Sequence, residues 1–448
     1  MNHSDFSAQT EARLLRYAAI TTQSKLSDNV WPTTACQRDL ARVLYAELKA
    51  LGVETCIDEA PCVLYARLRA NHDGPDFPIG LIAHLDTAPD VPGWGVKPWV
   101  LRSYDGGDIV LNKEKNIVMR AADYPNLAQY IGQDLVLTDG TTLLGGDDKA
   151  SIAAIMTMVE YFVSHPTHPH GTICLAFTPD EEVGGLARDL DLDRFGAKFA
   201  YTLDGDHLGW YQDQTFHASL AEIEITGRSV HTGTAKGIMV NASDLAAELV
   251  TMLPKPERPQ YTEGTAGFYH VIGVTADCER AVVRLIVRDF DRGCFEAREA
   301  YLQTCADALN REYGADRVRV RLTQQYRNMG DVLGRYPFLV ENLRKAIRAA
   351  GLEPHCEPFR GGTDGSALSF RGLPCPNLSA GYENAHGRFE FVPVPSMAKN
   401  VEILLHLCDC YAREGGAHHA ADWSAPRPPS ARPESVAEIR THRAETEE

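Results

Sequence analysis

The chain has 448 residues, 44% of them hydrophobic and 23% charged, enough to bury a large core and to divide into two or more domains. Lys and Arg total 44 against 61 Asp and Glu, a formal charge of -17 that repels phosphate backbones and anionic lipid, so neither nucleic acid nor membrane is an expected partner. The start "MNHSDFSAQTEARLL" has no basic segment leading into an apolar one, no run of about 18 apolar residues follows, and 11 cysteines lack CxxC spacing, which together predict a cytoplasmic protein with reduced thiols.

From the start to about residue 213, helical patterns ("ARLLRYAAI", "QRDLARVLYAELKALG", "SIAAIMTMVEYFV") alternate with apolar strand-like runs ("PIGLIAHLD", "TICLAFTPDEE", "AKFAYTLDGD"), the grammar of an α/β sheet. Residues 88 to 142, rich in Pro, Gly and Asp, read as a long excursion with a small hairpin around "QDLVLTDGTTLL". Between about 215 and 327 the order changes to βαββαβ, a compact sheet with two helices on one face, read as an inserted second domain. "LVENLRKAIRAAGL", "ALSFRGLPCPNLSAG" and "SMAKNVEILLHLCDCYARE" then resume the first domain, giving expected boundaries of 1–213 plus 329–412 around 215–327. Residues 413–448 lack apolar periodicity and read as a disordered tail, with His418 and His419 solvated in it.

Acidic residues and histidines recur where the strands end. In "AHLDT" the period of two puts His84 and Asp86 on one face, either as an imidazole with its orienting carboxylate or as a strand-end His followed by a turn. In "TPDEEVGG", Asp180, Glu181 and Glu182 are either a solvated turn or a ligand beside a base, and "TLDGD" ends a third strand on Asp204. "GGDDKA" sets Asp147 and Asp148 at a helix mouth, where one acid serves as an N-cap and the second needs another reason. His386 in "ENAHGRFEF" lies in a Gly-bounded loop and is either a surface His or a fifth member. Open α/β sheets build sites at the ends of consecutive strands. Three carboxylates and two imidazoles there suit two divalent ions sharing one carboxylate, zinc by donor type, with cobalt or manganese as alternatives. GxxxxGK[ST], GxGxxG and GxSxG are absent, so neither a nucleotide cofactor nor a Ser nucleophile is indicated.

With these motifs, "VHTGTAKGIMVNA", "TAGFYH", "RDFDR" and "RGGTDGSALSFRGLPCPNL", the chain resembles the peptidase T family over roughly residues 8 to 412. These are tripeptide aminopeptidases of the co-catalytic zinc clan that also holds carboxypeptidases, aminoacylases and dipeptidases. The resemblance implies a zinc-exopeptidase-like α/β catalytic domain with an inserted ferredoxin-like lid and dimerisation domain, two Zn2+ per subunit, a short peptide substrate and a homodimer. Residue by residue it implies His84, Asp147 and Asp204 as ligands of one ion and Asp147, Glu182 and His386 of the other, with Asp147 bridging. Asp86 would orient His84 and Glu181 would be the general base, while His231, Arg288 and Arg360 would bind substrate, His231 in the partner subunit's site. Arg288 could instead pair with Asp289 or Asp291. The chain departs from the family pattern at Thr232, Asp206, His207 and Glu383, which bears on specificity rather than on any ligand. With Asp147 as the bridge, Asp148 is left for the helix start, where the backbone N–H groups favour negative charge, with Lys149 as a local counter-charge. A dipeptidase, carboxypeptidase or N-acyl amino acid deacylase of the same clan, a silent peptide-binding protein, and a purely structural metal site are the competing readings.

Overall fold

The runs "PIGLIAHLD", "TICLAFT" and "AKFAYTL" are apolar nearly throughout instead of alternating, as strands covered on both faces must be. In the computed structural model, which describes residues 6–26, 30–185 and 187–413, they form the strands Ile79–His84, Ile173–Thr178 and Phe199–Leu203, every residue buried. Among the described residues they are the parallel centre of an eight-stranded sheet. Its order is Glu54–Asp58, Val63–Leu68, Ile173–Thr178, Ile79–His84, Phe199–Leu203, Asn377–Leu378, Trp210–Gln212 and His355–Cys356. Ile79 pairs with both Ile173 and Phe199, and His84 with Thr178, so the three central strands deliver residues 84–86, 179–182 and 204 to one edge. Gly80 lies where the ring of Phe195 presses on the sheet: an added Cβ would stand 2.4 Å from Phe195 Cζ and 2.8 Å from Ala200 Cβ. Gly80→Ala is therefore expected to lower stability by about 1–3 kcal/mol through overpacking; an unchanged urea midpoint would contradict this packing.

By internal contacts the described residues fall into two units, 6–213 with 331–357 and 363–413, and 214–330 with 358–362. Residues 358–362, counted with the first domain from sequence, thus group with the second. Beyond Arg413, the expected tail lies outside the described residues. In the first unit, the helix Gly146–Ser164 is buried almost all round, consistent with its unbroken apolar run. It packs on Ile79–His84 and against the helices Ser7–Ala18 and Val394–Arg413. The excursion differs from the expected local hairpin. Leu135–Leu137 pairs antiparallel with Trp99–Leu101 and with Val392–Pro393, because its apolar face joins Tyr104, Leu111, Met119 and Phe391 in a small separate core. The hairpin of this region is instead Ile109–Asn112 with Ile117–Met119.

The second unit has the order strand His217–Thr226, helix Ala242–Met252, strands Phe268–Ala276 and Arg280–Asp289, helix Arg292–Tyr313 and strand Val318–Tyr326. Its antiparallel sheet runs Phe268–Ala276, Arg280–Asp289, His217–Thr226, Val318–Tyr326, the split βαβ arrangement. Alternation along the strands turns Ala221, Ile223, Ile225, Val283, Leu285 and Val287 onto the helices. Asn241 and Asp291 cap the two helices through Ser243 N–H and Cys294 N–H. All 11 cysteines are free thiols, and no helix among the described residues is long and apolar enough to cross a membrane.

Candidate metal centre

His84 closes its strand and is 3% exposed, with Nδ1 lying 3.1 Å from the Asp86 carbonyl and 3.4 Å from Asp86 Oδ1. A carbonyl only accepts, so Nδ1 donates to it, and Nε2, 3.0 Å from Asp147 Oδ1, is the nitrogen that could turn to a cation once its own proton is given up. Asp86, fully buried, also accepts the N–H of Glu181 at 3.0 Å and of Glu182 at 3.3 Å. One carboxylate thereby ties the ends of two neighbouring strands together.

Asp147 is delivered by "LLGGD", a loop that Gly145 turns at φ +78° before the helix begins. Its Oδ1 faces His84 and its Oδ2 lies 3.3 Å from His386 Nε2. Asp148 does not cap the helix as expected. Its Oδ2 accepts the backbone N–H of His84 at 3.1 Å, and neither Asp147 nor Asp148 has helical backbone angles. Lys149 is not its counter-charge: the side chain is buried, Nζ donates to the Ile20 carbonyl at 2.8 Å, and burial pushes its pKa down to about 7.

Glu182 Oε2 lies 2.8 Å from His386 Nε2, while its buried Oε1 accepts no hydrogen bond among the described residues. Asp204 receives a hydrogen bond from Tyr382 Oη on Oδ1 at 2.7 Å, and Asn377 Nδ2 donates to its carbonyl at 2.5 Å. Donor atoms of His84, Asp147 and Asp204 lie within 4.8 Å of one another, as do those of Asp147, Glu182 and His386. The structure thus brings seven of the ten candidate site residues to one sheet edge, and Glu181 belongs to neither donor set.

Charge explains why such a cluster fits cations. Burial, then the neighbouring Asp147, raises Glu182 to about 8 and lifts Asp204, while burial with the charges of Asp204 and Asp364 holds Glu181 well above the ordinary range. Burial opposes ionisation of Asp147 too, but hydrogen bonds from His386 and His84 outweigh it and hold the group below the usual range. Hydrogen bonds to Asp147 and Glu182 push His386 up to about 11. The acids repel one another and draw protons onto both imidazoles, the behaviour of a site short of positive charge. Together with the unpartnered Oε1 and the mixed N and O donors, this fits divalent metal. A divalent cation at a hundredfold excess over its Kd is expected to stabilise the chain by about 2.7 kcal/mol; no rise in Tm would contradict the fit.

Sequence reasoning missed several supports of this edge. Asp180 accepts from Thr33 N–H, Thr33 Oγ1 and Gln37 Nε2 at 2.8, 2.5 and 2.6 Å and so anchors the turn before Glu181. Asp364 accepts from Thr178 Oγ1 at 3.1 Å, and its Oδ1 has no hydrogen-bond partner among the described residues; burial raises it to about 7. Of the departures from the family pattern, Glu383 is buried and accepts from Tyr130 Oη, Asn126 Nδ2 and His207 Nδ1 at 2.5, 2.8 and 2.8 Å. Its charge is consumed within that group.

The three candidate substrate residues belong to the second unit. His231 is exposed, and its Nδ1 accepts the Gly233 N–H at 3.1 Å, leading the Thr232–Thr234 turn. Arg288 is 8% exposed and does not pair with Asp289 or Asp291; it donates to the carbonyls of Ser219 and Val287 and to Gln325 Oε1, with Tyr326 beneath it. Asp289 pairs instead with Arg298 at 2.7 Å. Arg360 donates to the carbonyls of Gly264 and Ala266 and to Thr262 Oγ1, above the rings of Phe216 and Phe268.

Parallel strand ends that gather acids and imidazoles around shared points mark a metal-dependent hydrolase, and that is the class of protein this sheet edge defines. Peptidase family M20/M25/M40 matches residues 145–409. Peptidase T of Caldanaerobacter subterraneus subsp. tengcongensis is 45% identical over 404 residues, 90% of this chain and 98% of that one. Peptidase T of Clostridium botulinum (Type Ba4) is 47% identical over 401 residues, 89% and 98% of the two chains. The chain belongs to peptidase family M20/M25/M40 and, within it, to the peptidase T family. Among solved structures, aminopeptidase PepT from Bacillus cereus shares the fold with a TM-score of 0.71 at 23% identity, covering 91% of this chain and 99% of that one. A tripeptidase from Staphylococcus aureus does so with 0.70 at 21% identity and the same coverage.

Proposed function

We propose that this metallopeptidase removes the N-terminal residue from tripeptides, as a cytoplasmic homodimer with two zinc ions per subunit, cobalt or manganese being able to replace them. The observation that carries the reading is Asp147: one carboxylate common to both donor sets, with Glu181 left outside them. His84, Asp147 and Asp204 would hold one ion and Asp147, Glu182 and His386 the other. When bound, the two cations supply Lewis-acid chemistry, polarising a carbonyl and lowering the pKa of water towards about 7.

The chain's own residues do the rest. Glu181 takes a proton from the attacking water as its oxygen bonds to the scissile carbonyl carbon, and returns that proton to the amine nitrogen as the C–N bond breaks. Asp86 holds the backbone N–H groups of Glu181 and Glu182 and faces the His84 ring at Nδ1. His231, Arg288 and Arg360 are proposed to bind the substrate, a guanidinium fork being suited to a peptide carboxylate or a tetrahedral oxyanion.

Kinetics on di-, tri- and tetrapeptides with free and acetylated amines test the reading. Tripeptides should give the highest kcat/KM, and acetylation should abolish turnover. Preference for an N-acyl amino acid or a dipeptide would assign the chain to a sister activity.

A further inference from the structure

Glu390 is 2% exposed, and its carboxylate accepts three backbone N–H groups, on Oε2 from Leu144 and Gly145 at 2.8 Å each and on Oε1 from Asp147 at 2.9 Å. These donors are the loop that delivers the shared carboxylate. Glu390 itself stands on the loop that carries His386. Glu383 and Phe391 close that loop by exchanging backbone hydrogen bonds of 2.9 and 3.0 Å, and Glu390 N–H donates to the Gly387 carbonyl at 3.3 Å. Gly146, between the bonded residues, has no room for a side chain: a Cβ would lie 2.4 Å from Val392 Cγ2 and 3.0 Å from Glu390 Oε1. The two loops are therefore in close contact and joined by one buried carboxyl group, both of whose oxygens accept backbone N–H groups.

We infer that Glu390 is a positioning residue that sets Asp147 against His386, so that one carboxylate can serve both cations. The inference rests on the two-cation reading above. A glutamine of the same shape cannot replace it. Its single acceptor oxygen can satisfy one side, and its NH2 must then face either the Asp147 N–H or the pair from Leu144 and Gly145, donor against donor. An aspartate keeps both oxygens but is shorter by a methylene and cannot reach both loops.

The test is calorimetric titration of the chelator-stripped full chain with Zn2+ alone, paired with thermal unfolding in chelator. Glu390→Gln is expected to weaken zinc binding at the step that involves His386 by about 10–100-fold. In a His386→Ala background the same substitution should change zinc affinity by less than about 3-fold, because the alignment it serves is already gone. A residue with only a structural role would lower the Tm in chelator and leave zinc affinity at the parent's value in both backgrounds, which would overturn the inference. If Glu390→Gln does not fold, Glu390→Asp carries the test: parental zinc affinity overturns it, a weakened His386-dependent step upholds it. Failure of the parent chain to bind zinc would overturn the metal reading itself, and is distinguishable because it appears before any substitution.

Discussion

Glu181→Gln is expected to lower kcat by about 10²–10⁴-fold while leaving both cations bound. Glutamine keeps the shape of the side chain and the backbone N–H that Asp86 accepts, so the strand-end turn and the neighbouring Glu182 stay in place. What it removes is a group that can take and return a proton. Because Glu181 lies outside both donor sets, metal content should not fall with activity. Metal analysis beside steady-state kinetics separates the effects: a variant that loses turnover and zinc together would make Glu181 a ligand, and one that keeps full turnover would remove the base from the mechanism.

Asp147→Ala is expected to lose both cations and all turnover at once. Asp204→Ala and Glu182→Ala should each weaken mainly one ion, since each appears in a single donor set, whereas Asp147 appears in both. Removing Asp147 also takes away the carboxylate that His84 Nε2 and His386 Nε2 both face, at 3.0 and 3.3 Å. Its loss also relieves the repulsion that raises Glu182 and Asp204, but the methyl group left behind offers neither cation a ligand. Zinc stoichiometry of the three variants checks this ordering. Equal losses in all three would point to a general loosening of the sheet edge.

The parts of this account that were legible in the sequence are those whose signal is local. Unbroken apolar runs ending in His84, Glu182 and Asp204 announce buried parallel strands with acids at one end, and the alternation within "LAEIEITG" and "RAVVRLIVRD" announces a half-covered antiparallel sheet. Short edge elements such as Trp210–Gln212 and His355–Cys356 span too few residues to show any period. What could not be read is whatever depends on a distant backbone group. Asp148 looks like a cap, yet its partner is the N–H of His84, 64 positions away. Lys149 looks like a surface counter-charge, yet the helix it sits on is buried on nearly every side. Glu390 sits in "GRFEF" with nothing around it to mark three N–H groups from residues 144 to 147 as its partners.

The central claim is that two cations share Asp147. Anomalous diffraction from crystals of the zinc-loaded chain, collected on both sides of the zinc edge, tests it most directly. Two peaks are predicted, one on His84, Asp147 and Asp204 and the other on Asp147, Glu182 and His386, with Glu181 bound to neither. A single peak away from Asp147, or none in a sample that still cleaves tripeptides, would contradict it.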